Sequence, residues 1–236
     1  MVDHPVALEL KDLRAWYGES QSLHGVSMEV GQGEVVSIMG RNGAGKSTTL
    51  KCIMGLIEKK TGQVMFSDQN ITTWMPEKIS RMGLAYCPEE RGIYASLSVS
   101  ENLLLPPIVA EGGFTVDEIY ALFPNLYERR SNQGTKLSGG EQQMLAIARI
   151  LRTGAKLILL DEPTEGLAPV IVQKIGDVIR MLKQRGFTII LVEQSFHFVA
   201  RLADKSYIME SGRIVDRFDQ EQLGSNMSKI HAYLGI

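Results

Sequence analysis

Cysteine is scarce in this 236-residue chain. Cys52 and Cys87 are the two present, and neither sits in a C-x-x-C pair. The spacing supports neither a metal knuckle nor a disulfide framework, and it fits a reducing, cytosolic compartment. Cys52, in a stretch with helical character, reads as a small core residue. Long apolar runs are also missing. None approaches the roughly 20 residues that cross a bilayer. The longest, around Leu157–Leu160 and Thr188–Val192, have strand length. The first ten residues carry Asp3, His4 and Glu9 and no basic end followed by an apolar block, so they do not read as a signal peptide. A basic excess is absent as well. With 25 Lys and Arg against 27 Asp and Glu the net charge is −2, which argues against a general nucleic-acid binder. No internal repeat, low-complexity tract or linker breaks the chain. If it works at a membrane, something else holds it there.

What is present begins with Gly40-Arg41-Asn42-Gly43-Ala44-Gly45-Lys46-Ser47-Thr48, which fits G-x-x-x-x-G-K-[ST]. A strand-like run, Glu34–Met39, precedes it, and Thr49–Met54 reads as helix. A strand, a glycine loop and a helix start turn backbone N–H groups and a positive dipole end toward an anion. Lys46 would add charge at the β- and γ-phosphates of a nucleoside triphosphate, and Ser47 would hold Mg²⁺. A second run, Leu157-Ile158-Leu159-Leu160-Asp161-Glu162, is a buried strand tipped with two acids. In open α/β folds that edge is where ligands bind. Asp161 would hold Mg²⁺. Glu162, expected to point elsewhere because side chains alternate along a strand, would polarise the attacking water.

Leu137-Ser138-Gly139-Gly140-Glu141-Gln142 is the third run. Ser138 with Glu141 three residues on can be an ordinary capping box at a helix start. With two glycines it can equally be a second phosphate-binding helix end. One nucleotide has no use for both surfaces in one pocket. Two chains arranged head to tail resolve this, each Ser138 end closing on the other chain's γ-phosphate.

Elsewhere Val6–Leu10, Val26–Val30 and Gly62–Phe66 read as strands of an antiparallel layer. Helical patterning runs from Leu97 to about Leu126, broken by Pro106-Pro107 and Gly112-Gly113. Glu141–Leu151 is an uninterrupted helix. Strands at 156–160 and 187–192 then alternate with helices at 170–183 and 196–202, before a hairpin turning at Ser211-Gly212. Such alternation argues for a buried parallel sheet with helices on both faces. Residues 97–153, lacking strands, read as a helical insertion.

A phosphate loop, then L-S-G-G-E-Q, then an apolar strand ending in D-E-P-T resembles an ATP-binding cassette (ABC) ATPase over essentially the whole chain. The resemblance implies an α/β fold: a P-loop NTPase (RecA-like) core with an antiparallel β layer and a helical insertion, in one domain over 1–236. It implies ATP sandwiched between two cassettes, with dimerisation coupled to motion in a partner. Tyr17 matches the aromatic that stacks on adenine, the alternative being a strand-end tyrosine of the core. Trp16 reads as packing. Glu89 falls where most cassettes carry a glutamine that senses Mg²⁺ and contacts the membrane partner. Gln194 falls where most carry the switch histidine, and Ala168 replaces the usual aspartate. Glutamine can still hydrogen-bond a γ-phosphate but cannot carry a proton at neutral pH. His197 is expected on the next helix, not as a substitute for that histidine.

Cys87–Ile93, Glu141–Arg149, Glu165–Pro169, Leu191–Gln194 and Ala232–Gly235 narrow the resemblance to the smaller ATPase subunit of bacterial branched-chain (hydrophobic) amino acid importers. Relatives of that group import urea or other small solutes. The pattern implies a second, non-identical cassette (a homodimer being the alternative in isolation), two permease subunits and a solute-binding protein, with no nucleic acid. It implies a peripheral place on the cytoplasmic face of the inner membrane. A soluble, non-transport ABC protein is the rival reading. Such proteins resemble cassettes split by long coiled coils, or two cassettes in one chain, and this chain has one cassette and no heptad run.

Overall fold

The computed structural model describes residues 5–235. In chain order its elements are β1 (Val6–Tyr17), β2 (Ser20–Gly31), β3 (Val35–Met39), α1 (Lys46–Ile53), β4 (Lys60–Phe66), β5 (Gln69–Asn70), α2 (Pro76–Arg81) and β6 (Leu84–Cys87). Helices α3 (Val99–Leu104), α4 (Val116–Leu122), α5 (Pro124–Glu128) and α6 (Gly139–Arg152) follow. The chain continues with β7 (Leu157–Asp161), α7 (Pro169–Gln184), β8 (Thr188–Glu193), α8 (Phe196–Val199), β9 (Lys205–Glu210), β10 (Arg213–Asp219), α9 (Gln220–Ser225) and α10 (Met227–Leu234).

Two sheets result. The antiparallel one has the order β2-β1-β4-β5, and the other has the order β10-β9-β3-β8-β7-β6. Five strands of the larger sheet run parallel, with β10 antiparallel at its edge. Strands β3, β7 and β8 are buried at every position, as their unbroken apolar runs require of a sheet covered on both faces. Along β3, Val36 and Ile38 join the core under the antiparallel layer, and Val35 and Met39 join the core under the helices. Truncating Phe123 or Phe187 in that second core costs about 3–5 kcal/mol because both are fully buried.

In β1 the alternation changes phase at a bulge. Leu8 and Leu10 are buried, then Leu13 and Ala15, with Asp12 at φ +45° between. The extra residue keeps one apolar face on the core. Gly62 lies across from it, where a Cβ would come 2.4 Å from the Asp12 carbonyl oxygen.

Residues 97–153 contain α3 to α6 and none of the sheet strands. Capping boxes start three of these helices: Ser98 with Glu101, Thr115 with Glu118, and Ser138 with Glu141. Sequence patterning missed β6, whose four residues run straight into Pro88, and the short α2. It also missed α9 and α10, whose polar run with Gly224 and Asn226 lacks a continuous apolar stripe. The helix expected over 196–202 stops at Val199. Cys52 and Cys87 are buried, and burial pushes both thiols up to about 12, which leaves them unreactive core residues. Among the described residues no helix is long and apolar enough to cross a membrane.

Candidate functional site

Because β3 pairs with β8 and β8 with β7, three parallel strands deliver their C-terminal ends side by side. The glycine loop leaves β3 and enters α1 there. Gly43 (φ +79°) and Gly45 (φ +106°) take left-handed turns that other residues rarely adopt. Gly40 lets the loop press on β9, since a Cβ there would sit 2.2 Å from the Met209 carbonyl oxygen.

Side chains from the three strand ends bond to one another. The buried Lys46 Nζ donates to the carbonyls of Gly40 (2.9 Å) and Arg41 (3.2 Å) and lies 3.1 Å from Glu162 Oε1. Ser47 Oγ donates to Asp161 Oδ1 at 2.9 Å. Gln194 Nε2 donates to Glu162 Oε2 at 2.8 Å and to Asn42 Oδ1 at 2.7 Å. Of these groups, Asn42, Lys46, Ser47 and Glu162 line a polar cavity of about 350 Å³ together with Ser22, Gly43, Gly45, Thr48, Glu89 and Glu165, while Asp161 and Gln194 stand behind that lining, bonded to Ser47 and Glu162.

The structure corrects one expectation about Glu162. The strand ends at Asp161, and Glu162 lies beyond it at φ +45°. A left-handed backbone step, not strand alternation, separates the two carboxylates. Such a conformation in a non-glycine residue is strained. Burial pushes the Glu162 carboxyl up, but hydrogen bonds with Glu165, Lys46 and Gln194, with the Lys46 charge, hold it below the ordinary carboxyl value. Asp161 moves the other way: burial raises it, against hydrogen bonds from Tyr86 and Ser47.

Several residues were invisible to sequence reasoning. Tyr86 Oη donates to Asp161 Oδ2 at 2.9 Å. Ser22 Oγ donates to Thr48 Oγ1 at 3.2 Å, tying β2 to α1. Glu165 is raised to about 7 by its hydrogen bond with Glu162, then by burial and the neighbouring acids. Glu193 is buried and accepts from Thr164 Oγ1 at 2.6 Å. No local motif marks Tyr86 or Ser22; their partners lie 75 and 26 residues away.

Not every expected residue lines this cavity. Gly40, Arg41 and Ala44 shape the loop from outside it: Ala44 is buried, and its N–H donates to the Arg41 carbonyl at 3.1 Å. Tyr17 is half exposed with its hydroxyl 3.5 Å from Thr48 Oγ1, so its ring is a free surface beside α1, not a core side chain. Ser138, Gly139, Gly140 and Glu141 stand apart from the cavity. Ser138 is exposed, and its capping box is complete: its N–H donates to Glu141 Oε2 (2.8 Å) and its Oγ accepts from the Glu141 N–H (3.3 Å). Gly140 packs on Ile171 of α7, where a Cβ would come 2.9 Å from Cγ1.

The donor set suits Mg²⁺. Ser47 and Asp161 place hard oxygens 2.9 Å apart beside the loop, and Glu89 lines the same cavity. No group of three His, Cys, Asp or Glu residues is arranged to hold a metal alone among the described residues. An ion seated there would be held by these oxygens together with substrate phosphates.

A glycine loop running into a helix, acids at the tips of neighbouring strands and an antiparallel layer laid over them define a P-loop nucleoside triphosphatase of the ATP-binding cassette kind. Relatives agree. The chain belongs to the ABC transporter family, whose profile matches residues 23–165. Over 97% of its length it is 40% identical to the high-affinity branched-chain amino acid transport ATP-binding protein BraG of Pseudomonas aeruginosa, covering 99% of that protein. It is 36% identical to a probable branched-chain amino acid transport ATP-binding protein, LivF, of Archaeoglobus fulgidus, over 86% of this chain and 87% of that one. At 30% over 97% of both chains it is similar to the lipopolysaccharide export ATP-binding protein LptB of Haemophilus influenzae. Among solved structures it overlays a nucleotide-free ATP-binding cassette from an ABC transporter with TM-score 0.84 (27% identity, 98% of this chain, 99% of that one). It overlays a cassette in its ADP conformation with TM-score 0.80 (26% identity, 96% and 98%). The chain is an ATP-binding, ATP-hydrolysing protein of this family.

Proposed function

We propose that this chain is the motor subunit of an importer for branched-chain, hydrophobic amino acids. The observation that carries the reading is the pair of helix N-termini on separate surfaces. One lies inside the cavity at Lys46; the other is exposed at Ser138. In this reading ATP lies on the Gly43–Thr48 loop with adenine on Tyr17. The Ser138–Glu141 end of a second cassette then closes over the γ-phosphate. Ser47, Asp161 and Glu89 would hold Mg²⁺, which would neutralise charge on the phosphates. Glu162 takes the proton of the attacking water, and Gln194 orients it at the γ-phosphate.

A groove beside the site fits a membrane partner. About 390 Å³ in volume, it lies between the sheet core and the helical insertion and is lined by Leu56, Ala146, Ile150, Arg91 and Arg149. Leu104, Leu105 and Ile108 are exposed on the same insertion. Such a patch is the kind that covers itself with a partner. Two permease subunits, a second cassette and a solute-binding protein complete the assembly, which places this chain peripherally on the cytoplasmic face of the inner membrane. The similarity to BraG and LivF supports the amino-acid class.

The test is reconstitution with the neighbouring permease genes. ATPase activity stimulated by a binding protein loaded with leucine, isoleucine or valine is the expected result. Stimulation only by urea, or only by a lipid substrate, would overturn the solute class while sparing the motor.

A further inference from the structure

Helix α10 takes no part in the chemistry above, yet it contacts neighbours of the site on two sides, Phe196 and the Arg41 side chain. Ile230 and Leu234 anchor it in the core under the helices, and Lys229 pairs with Asp216 of β10 at 2.6 Å. From there the His231 ring meets the Phe196 ring edge-on, with centroids 5.4 Å apart and planes at 88°. Phe196 is buried, two residues after Gln194. The Gln194 amide makes its two bonds, to Asn42 and Glu162, at a solvent-facing edge, so the loop that carries it must hold it in place. On one side that loop is fixed by Thr164 on Glu193; on the other it rests on Phe196 and, through it, on His231. His231 Nε2 is buried with no hydrogen-bond partner among the described residues, so packing, not a polar bond, sets the ring. At its C-terminal end, α10 stops at Gly235 (φ +76°), which lies against Arg41: a Cβ there would sit 3.1 Å from the Arg41 Cζ and 3.2 Å from its Nε. The Arg41 carbonyl in turn accepts from Lys46.

We infer that α10 braces the nucleotide site, with His231 positioning Gln194 through Phe196 and Gly235 positioning the phosphate loop through Arg41. The inference rests on the motor reading above. Small displacements of positioned groups carry large rate penalties, and one helix here bears on both the loop that grips phosphate and the loop that orients water.

The test uses the full-length chain assembled with its permease partners, and reads kcat, KM, ATP Kd and Tm. His231→Ala should lower kcat about three- to tenfold with Kd within about twofold, the scale of an edge-to-face aromatic contact. His231→Phe, which keeps the contact, should recover kcat to within about twofold. In a Gln194→Ala background the His231→Ala penalty should vanish, because residues acting as a unit are not additive. Gly235→Val should raise KM about threefold, by crowding Arg41 at a position that disfavours a side chain. Full kcat in His231→Ala overturns the brace, and so does an undiminished penalty when Gln194 is already gone. A penalty in His231→Phe equal to that in His231→Ala, with matching losses of Tm, makes the helix merely structural and also overturns it. If His231→Ala fails to fold, His231→Phe and Gly235→Val decide the same question. An inactive wild type sinks the motor reading and the brace with it; an active wild type with unaltered variants sinks the brace alone.

Discussion

The chain has two glycine-flanked helix starts, and they are built in opposite ways. At the start of α1, Lys46 and Ser47 turn inward onto side chains from other elements, Glu162 and Asp161, more than 100 residues away in sequence. At the start of α6, Ser138 and Glu141 cap each other, and the one further side-chain partner among the described residues is Arg129, 3.6 Å from Glu141 Oε1 and only 12 residues away in sequence. The first is a pocket that folding completes. The second is a capped, exposed end whose Gly139 and Gly140 N–H groups have no hydrogen-bond partner among the described residues. A helix end in that state offers donors to an anion brought by something else. A glycine-flanked helix start thus becomes part of a cavity where tertiary structure surrounds it, and stays an exposed, self-capped end where it does not.

Removing Glu162, the proposed general base, should strike the completed pocket hardest. Glu162→Gln should lower kcat about 100- to 1,000-fold while ATP still binds, within the range that general-base catalysis supplies. Single-turnover hydrolysis beside equilibrium binding of a fluorescent ATP analogue checks it. Lys46→Ala removes the cation and strands a buried Glu162. ATP affinity should fall by about 100-fold, the cost of a lost buried charge contact, and isothermal titration would read it. Ser138→Ala sharpens the contrast. ATP binding by the isolated chain should stay within about twofold, while ATPase of the assembled complex falls about tenfold, the scale of one lost charge-assisted hydrogen bond. An equal loss in both measurements would make the two helix starts one site.

Two smaller effects test the surroundings. Arg91→Glu in the groove should weaken association with the permease by about tenfold through reversed charge, measured by co-purification against salt. Glu165, raised to about 7, binds its proton more tightly in the folded chain than in the unfolded one. The folded state is therefore favoured by falling pH, and stability should decline as pH rises from about 4.5 to about 7. Solvent exposure keeps this below about 1 kcal/mol. Urea melts at pH 5 and pH 7 should show the slope, and Glu165→Gln should flatten it.

The parts legible in the sequence were those written as contiguous runs. The phosphate loop, the acid-tipped strand and the Ser138 run each fit within a dozen residues, and strand-and-helix alternation from 156 onward followed from uninterrupted apolar runs. Hidden parts depended on distance or brevity. Tyr86 sits on a four-residue strand and finds Asp161 across the sheet. Ser22 reaches Thr48 from the antiparallel layer. Helix α10 buries only Ile230 and Leu234, too few to set a period. The expectation that strand alternation sets Glu162 apart from Asp161 did not hold: the strand ends at Asp161, and a left-handed φ is a backbone fact that composition does not announce.

The Lys46–Glu162 contact has a consequence for what the pocket admits. A lysine already partnered by a carboxylate is not a free attractor of anions; any visitor competes with an internal tenant that never diffuses away. A lone orthophosphate has little to offer in exchange, whereas a triphosphate engages several loop amides at once. On the proposed reading, the same contact should make nucleotide uptake less sensitive to ionic strength than an unpaired lysine would, because one charge pair is traded for another.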